Sequence, residues 1–292
     1  MKESGDRRQE PGVRSQETEG REAADNDSRL WREYWDYGKS ADCPVIDAHA
    51  HYGPYAGIYF PDRGEADSMV KMMDRAGVRC CVSAPHAGLV EPRRGHAVLV
   101  EAMARYPGRF YGYWCVNPNY PRDNAWALGT FPQTPGFVGF KFLSDYHQKP
   151  ITHSAYAPIL QYANERGLPV LMHTWGKSSY DGPALWAEVA ERYPRASLIM
   201  GHSGYGEWDL ALEMASRYDN IYLELTAAYH ANGIIERMVR EVGSRKVLYG
   251  EDLPWFDPQY AIGCVLCAHI SDDDRHNILH RNAERVFGLD NG

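Results

Sequence analysis

Two histidines at the end of an apolar run are the first residues in this chain whose type and spacing suggest chemistry. The segment Val45-Ile46-Asp47-Ala48-His49-Ala50-His51 reads as a strand. Side chains two apart on a strand share a face, so both imidazoles come within reach of one ion. Two later apolar runs end in the same way, Pro169-Val170-Leu171-Met172-His173 and Leu198-Ile199-Met200-Gly201-His202. A lone histidine in such a place is ordinarily a hydrogen-bonding group. Its recurrence points instead to convergent nitrogen ligands, which Zn²⁺ or a similar divalent ion requires. A further run, Val247-Leu248-Tyr249-Gly250-Glu251-Asp252, brings carboxylates, of which Asp252 could ligate a metal and take a proton from its water.

Such residues act together only if the elements carrying them converge. From residue 44 short apolar runs alternate with amphipathic stretches that end in Gly or Pro. The predicted strands are residues 45–52, 80–85, 110–118, 137–144, 169–175, 197–204, 221–226 and 247–255. Helical patterns lie between them at 66–76, 96–106, 156–166, 184–193, 210–218 and 234–242, and the connection 119–136 is only weakly helical. Eight strands with right-handed crossovers predict an α/β fold, a (β/α)8 TIM barrel, whose active site lies at the C-terminal strand ends. Two more helices are expected at 258–268 and 272–287, with Ser271 as N-cap and Gly288 as stop.

Ahead of the barrel, residues 1–28 are polar and charged and are expected to be a disordered tail. Residues 29–43 form a helix and linker, in which Trp31, Tyr34 and Trp35 share one face that should dock on the barrel or on another subunit. Residues 44–292 then make a single barrel domain. Homo-oligomer formation through the aromatic helix is left open.

The chain has 292 residues, with 31 basic against 39 acidic and a net charge of −8. That balance argues against a nucleic-acid partner. The absence of any apolar run of about 18 residues argues against a membrane span. With no apolar leader, the six cysteines read as free thiols and the expected location is cytoplasmic. Cys264 and Cys267 form a C-x-x-C without a second pair, and Cys80 and Cys81 face opposite sides of a strand, so all four are expected to be packing thiols. Trp175, Lys177, Tyr229, His230 and Trp255 follow strand ends and could line a pocket.

The order His-x-His, His173, His202 and Asp252 resembles the amidohydrolase superfamily, in its amidohydrolase-related branch that includes the aminocarboxymuconate-semialdehyde decarboxylase type. The resemblance spans residues 44–289. It includes Gly139-Phe140-Lys141, Met200-Gly201-His202-Ser203-Gly204, Tyr249-Gly250-Glu251-Asp252-Leu253-Pro254 and Asn282-Ala283-Glu284-Arg285-Val286-Phe287-Gly288. It implies one divalent metal, Zn²⁺ foremost with Mn²⁺ as the alternative, on His49, His51, His173 and Asp252, with His202 as acid/base or carbonyl polariser. Lys141 stands where binuclear relatives carbamylate a lysine, but in this branch it implies a substrate-binding or structural ammonium, and one metal is expected rather than two. Glu251 departs from the small residue common in relatives, and strand alternation points it outward as a surface acid.

The expected function is hydrolysis of a lactone, ester or amide bond in a small-molecule substrate. A metal-activated water attacks, Asp252 shuttles the proton, and Lys141 and Trp175 bind substrate. The alternative is metal-dependent, non-oxidative decarboxylation of an unsaturated or aromatic acid. The lack of an arginine at the strand ends, where a substrate carboxylate would be held, argues for hydrolysis. A reading of another class is a barrel that keeps its metal without catalysis.

Overall fold

The computed structural model describes residues 28–55 and 64–289, in which the alternating runs form eight parallel strands in sequential order, β1 to β8. They are β1 (Val45–Tyr52), β2 (Val78–Pro85), β3 (Phe110–Val116), β4 (Phe137–Phe142), β5 (Pro169–Trp175), β6 (Ser197–Tyr205), β7 (Ile221–Glu224) and β8 (Val247–Leu248). The eighth strand is far shorter than the 247–255 predicted, because the backbone leaves the extended region on the way to Asp252, where φ is 62°. The sheet is nonetheless closed across this short strand. Ala48 N donates to Tyr249 O at 2.9 Å, Asp252 N to His49 O at 2.8 Å and His51 N to Leu253 O at 2.7 Å. The architecture is a (β/α)8 barrel.

The helices follow from their periodicity. Ala66–Ala76 buries Ala66, Met69, Val70, Met73 and Ala76, one stripe at helical spacing, and ends at Gly77 with φ 74°. A Cβ on Gly77 would also lie 2.7 Å from Lys39 Cβ, so the linker before the barrel packs there only against glycine. The weakly helical third connection forms a helix, Pro121–Thr130, with proline at its first position. Asp272–His276, a π-helical turn Asn277–Arg281 and Asn282–Phe287 follow one another at the C-terminus. The first is opened by a capping box on Ser271, and the last is closed by Gly288 in the left-handed region.

Apolar side chains sort into two buried clusters. One includes Val45, Ala50, Trp114, Phe140, Met172 and Met200 with the helix faces that cover the strands. The other fills the barrel with Ile46, Ala48, Tyr113, Leu171, Ile199 and Leu248, and Val286 and Phe287 join it from the last helix. Cys80 belongs to the inner cluster and Cys81 to the outer. All six cysteines are free, but Cys267 is exposed rather than packed.

The N-terminal helix, Arg29–Tyr37, is capped by Ser28, whose Oγ accepts from Trp31 N. Trp31 and Tyr34 pack on the core. Trp35 does not dock on the barrel: it stays 76% exposed and stacks on Trp31 with ring centroids 5.4 Å apart. The expected disordered tail lies outside the described residues except at Ser28. Among the described residues, no helix is long and apolar enough to cross a membrane.

Candidate metal centre and active site

At the C-terminal end of β1, the regular alternation of side chains is broken. Ala48 belongs to the inner cluster, yet the neighbouring His49 also reaches the site, because the register against β2 slips between Asp47 and Ala50. The Asp47 carboxylate accepts from His49 N at 2.8 Å and holds this local turn.

Three histidines are anchored through Nδ1, which leaves Nε2 for the cavity. His49 Nδ1 lies 2.7 Å from Glu224 Oε2, His51 Nδ1 3.2 Å from Ala84 O and His173 Nδ1 3.0 Å from Asp181 Oδ2. A carbonyl can only accept, so Nδ1 of His51 carries the proton, and the carboxylates favour the same tautomer in the others. His202 differs, since its buried Nδ1 has no hydrogen-bond partner. Burial holds both His49 and His202 well below the usual imidazole range, with Lys141 adding to the effect at His49 and His173 at His202.

The Nε2 atoms of His49 and His51 each lie 3.3 Å from Asp252 Oδ1. Two ligands about 2.1 Å from an ion at a tetrahedral angle stand about 3.4 Å apart. Oδ1 is buried and has no hydrogen-bond partner, which suits a ligand oxygen facing a cation. Burial opposes ionisation of Asp252, but the surrounding imidazoles outweigh it and hold the carboxyl below its usual range. Asp252 and His202, with φ of 62° and 60°, both occupy backbone conformations that side chains other than glycine rarely adopt.

The residues proposed from the sequence therefore divide. His49, His51 and Asp252 bring donor atoms within 4.8 Å of one another. His173 lines the same cavity with its ring centroid 4.7 Å from that of His202, but its donor atoms group with Asp145 and Asp181. Lys141 is fully within the site, its Nζ 2.6 Å from His49 Nε2. Burial lowers its ammonium to about 8. Positive charge is thus already held at the nitrogen that would ligate a metal.

The cavity measures about 510 Å³ and is lined by these groups together with Trp175 and Trp255. Lys177 and His230 are exposed and Tyr229 is buried, and none of the three lines it. One wall is a flat aromatic stack. Trp255 lies 4.6 Å from His51, 5.1 Å from His86 at an interplanar angle of 3° and 5.3 Å from Tyr55. Trp175 stands on another side, 5.8 Å from His173 and nearly parallel to it.

Glu251 corrects a sequence expectation. It is wholly buried, and Tyr249 Oη donates to its Oε2 at 2.8 Å. Alternation fails because the strand has already ended at Leu248. Burial beside Asp47 pushes its carboxyl well above the usual range.

Glu224 and His86 escaped sequence reasoning. Glu224 is the last residue of β7, whereas the predicted strand ran on to residue 226 and placed it in the interior. Besides His49 it accepts from His202 N at 3.2 Å and from Thr226 N, and its own carboxyl is raised by burial. A Cβ on Gly250 would lie 2.3 Å from Glu224 Oε1 and 2.8 Å from His49 Cβ, so only glycine leaves room for this pair. His86, placed by a 2.7 Å hydrogen bond from Nδ1 to Gly53 O, gave no signal either.

Comparison with known proteins tests the function. Gamma-resorcylate decarboxylase of Polaromonas sp. (strain JS666 / ATCC BAA-500) is 23% identical over 286 residues, covering 76% of this chain and 87% of that protein. The crystal structure of 2,6-dihydroxybenzoate decarboxylase from Rhizobium matches with TM-score 0.68 and 18% identity, covering 85% of this chain and all of that one. A dihydroxybenzoic acid decarboxylase from Polaromonas sp. JS666, with bound manganese and the inhibitor 2-nitroresorcinol, matches with TM-score 0.69 and 17% identity, covering 86% and 98%. These relatives overturn the expectation of a hydrolase and favour its decarboxylase alternative. The last of them holds manganese, which supports a divalent metal and gives no support to zinc in particular. The expected lack of an arginine holds, since among the described residues lining the cavity there is Lys141 and no arginine, but it did not decide between the two chemistries. The model of the family described as Amidohydrolase matches residues 46–289, and with the histidine and aspartate ends of its barrel strands now in place, the chain belongs to that amidohydrolase family.

Proposed function

We propose that this protein is a metal-dependent, non-oxidative decarboxylase of a small, hydroxyl-bearing aromatic acid. The observation that carries the reading is the convergence of His49, His51 and Asp252 under flat aromatic walls. The decarboxylase relatives, matched over most of their length, support it. In the reaction the bond between ring and carboxyl carbon breaks, carbon dioxide leaves, and the ring carbon keeps the electron pair and takes a proton.

His49, His51 and Asp252 would hold the metal, with His173 available through Nε2. A divalent ion there supplies positive charge to orient substrate oxygens and to stabilise the negative charge that develops. With His49 Nε2 committed to a metal, Lys141, now 2.6 Å from that nitrogen, would be free to hold the substrate carboxylate. Trp175 offers a face for the ring to stack on. His202, with Nδ1 unengaged, and Asp252 both line the cavity and would carry the proton to the ring.

The test supplies Mn²⁺ or Zn²⁺ to protein purified without chelator, offers 2,6-dihydroxybenzoate and other hydroxybenzoates, and measures carbon dioxide against loss of the acid. Release is expected from the parent, and a fall of at least about a hundredfold in a His49→Ala, His51→Ala double variant. A metal-loaded parent that decarboxylates none of the panel would overturn the reading.

A further inference from the structure

Cys43, His276 and His280 form a second cluster, away from the cavity. Cys43 lies two residues before β1 begins, whereas His49 and His51 stand at the other end of that strand. The donor atoms of the three lie within 4.8 Å of one another, with His276 Nδ1 3.0 Å from His280 Nε2. Cys43 and His280 are buried and His276 is half-buried, so the cluster has one side toward solvent.

Three further observations distinguish this cluster from ordinary packing. His280 is carried by the π turn Asn277–Arg281, an irregularity that recurs at functional sites. Behind it, Glu284 Oε2 stands 3.2 Å from His280 Nδ1, and Arg79 Nη1 lies 3.2 Å from Glu284 Oε1. A carboxylate behind an imidazole is the arrangement that orients a metal-binding histidine. Yet His280 Nδ1 and Glu284 Oε1 are buried without a hydrogen-bond partner of good geometry. The nearby cations are already committed, Arg275 to Asp272 and Arg281 to Asp273.

The geometry points to a second metal site, in which Cys43 Sγ, His276 Nδ1 and His280 Nε2 hold a soft divalent ion such as Zn²⁺ and clip the segment before β1 to the C-terminal helix. On binding, the S–metal bond replaces the S–H bond, the proton passes to solvent and no electron is transferred. One thiolate and two imidazoles prefer Zn²⁺ over Mn²⁺ more strongly than the nitrogen and oxygen donors of the cavity do. The chain would thus hold two ions of different character. This inference is independent of the decarboxylase reading.

Cobalt(II) provides the test, because only a site containing sulfur gives a thiolate-to-cobalt charge-transfer absorption in the near ultraviolet. The parent and the His49→Ala, His51→Ala variant should both show it, and Cys43→Ser and His276→Gln should not. Should Cys43→Ser fail to fold, His276→Gln decides, since its side chain reaches solvent. Added Zn²⁺ should also raise the melting temperature of the His49→Ala, His51→Ala variant, and should not once Cys43→Ser or His276→Gln is added to it. Cobalt-loaded parent without the band, as expected if His276 and His280 merely share a proton, would overturn the site. So would a band that persists in Cys43→Ser, which would place the thiolate at Cys264 or Cys267.

Discussion

His49 is gripped from two directions, by Glu224 at Nδ1 and by Lys141 at Nε2, and the first contact sets what the second nitrogen can do. A carboxylate that accepts the Nδ1 proton leaves the Nε2 lone pair free and more basic toward a cation. Glu224→Gln keeps the shape and loses the charge, so metal affinity is expected to fall by about 10 to 100-fold. Competition against a chromogenic chelator measures this, and unchanged affinity would show that Glu224 serves packing alone. At this scale the histidines and Asp252 were legible because each ends an apolar run abruptly. Glu224 carried no such mark, because apolar Leu225 follows it and the predicted strand ran to residue 226, whereas β7 stops at Glu224. Glu251 was misread because a rule for strands was applied past the end of one.

At the scale of elements, apolar periodicity located β1, β5 and the helices Ala66–Ala76 and Ile234–Val242 to the residue. It failed at β8 because hydropathy does not register the change of backbone direction near Asp252. Nor could it pair elements through polar groups. The helix Pro92–Arg105 is fixed to β3 by Cys115 N donating to His96 Nε2 at 2.9 Å, with the imidazole 4.2 Å from Trp114. Burial lowers His96 from 6.5 to about 3. Between those values the unfolded chain binds a proton that the folded chain refuses. The stability is therefore present above that window and is lost as pH falls through it, by about 1.4 kcal/mol per unit. Urea unfolding from pH 7 to pH 4 should show a steeper loss in the parent than in His96→Gln, and equal slopes would mean that His96 is not held neutral.

For the whole molecule, sequential strand order brings β8 back beside β1, so residues about 200 positions apart share one site. That much was readable from eight strands alone, whereas the choice between hydrolysis and decarboxylation was not, because both chemistries use the same ligand types at the same strand ends. An ion bound only by the folded chain stabilises it, by about 4 kcal/mol when free metal stands at a thousand times its dissociation constant. In a Cys43→Ser background, which removes the second site, chelation should accordingly lower the melting temperature, and it should leave it nearly unmoved once His49→Ala and His51→Ala are added. Equal shifts in both would place the stabilising ion elsewhere.

The hydrogen bonds that join the segment after β8 to β1 run through or beside the residues that would carry the ion, with Asp252 N on His49 O and His51 N on Leu253 O. Loss of ligation is then also a loosening of the barrel at its shortest strand. In a cell, where chaperones and proteases continuously sort partly opened chains, a ligand mutation acts on abundance as well as on turnover. Selection on these residues would therefore persist in a lineage that had little use for the reaction itself.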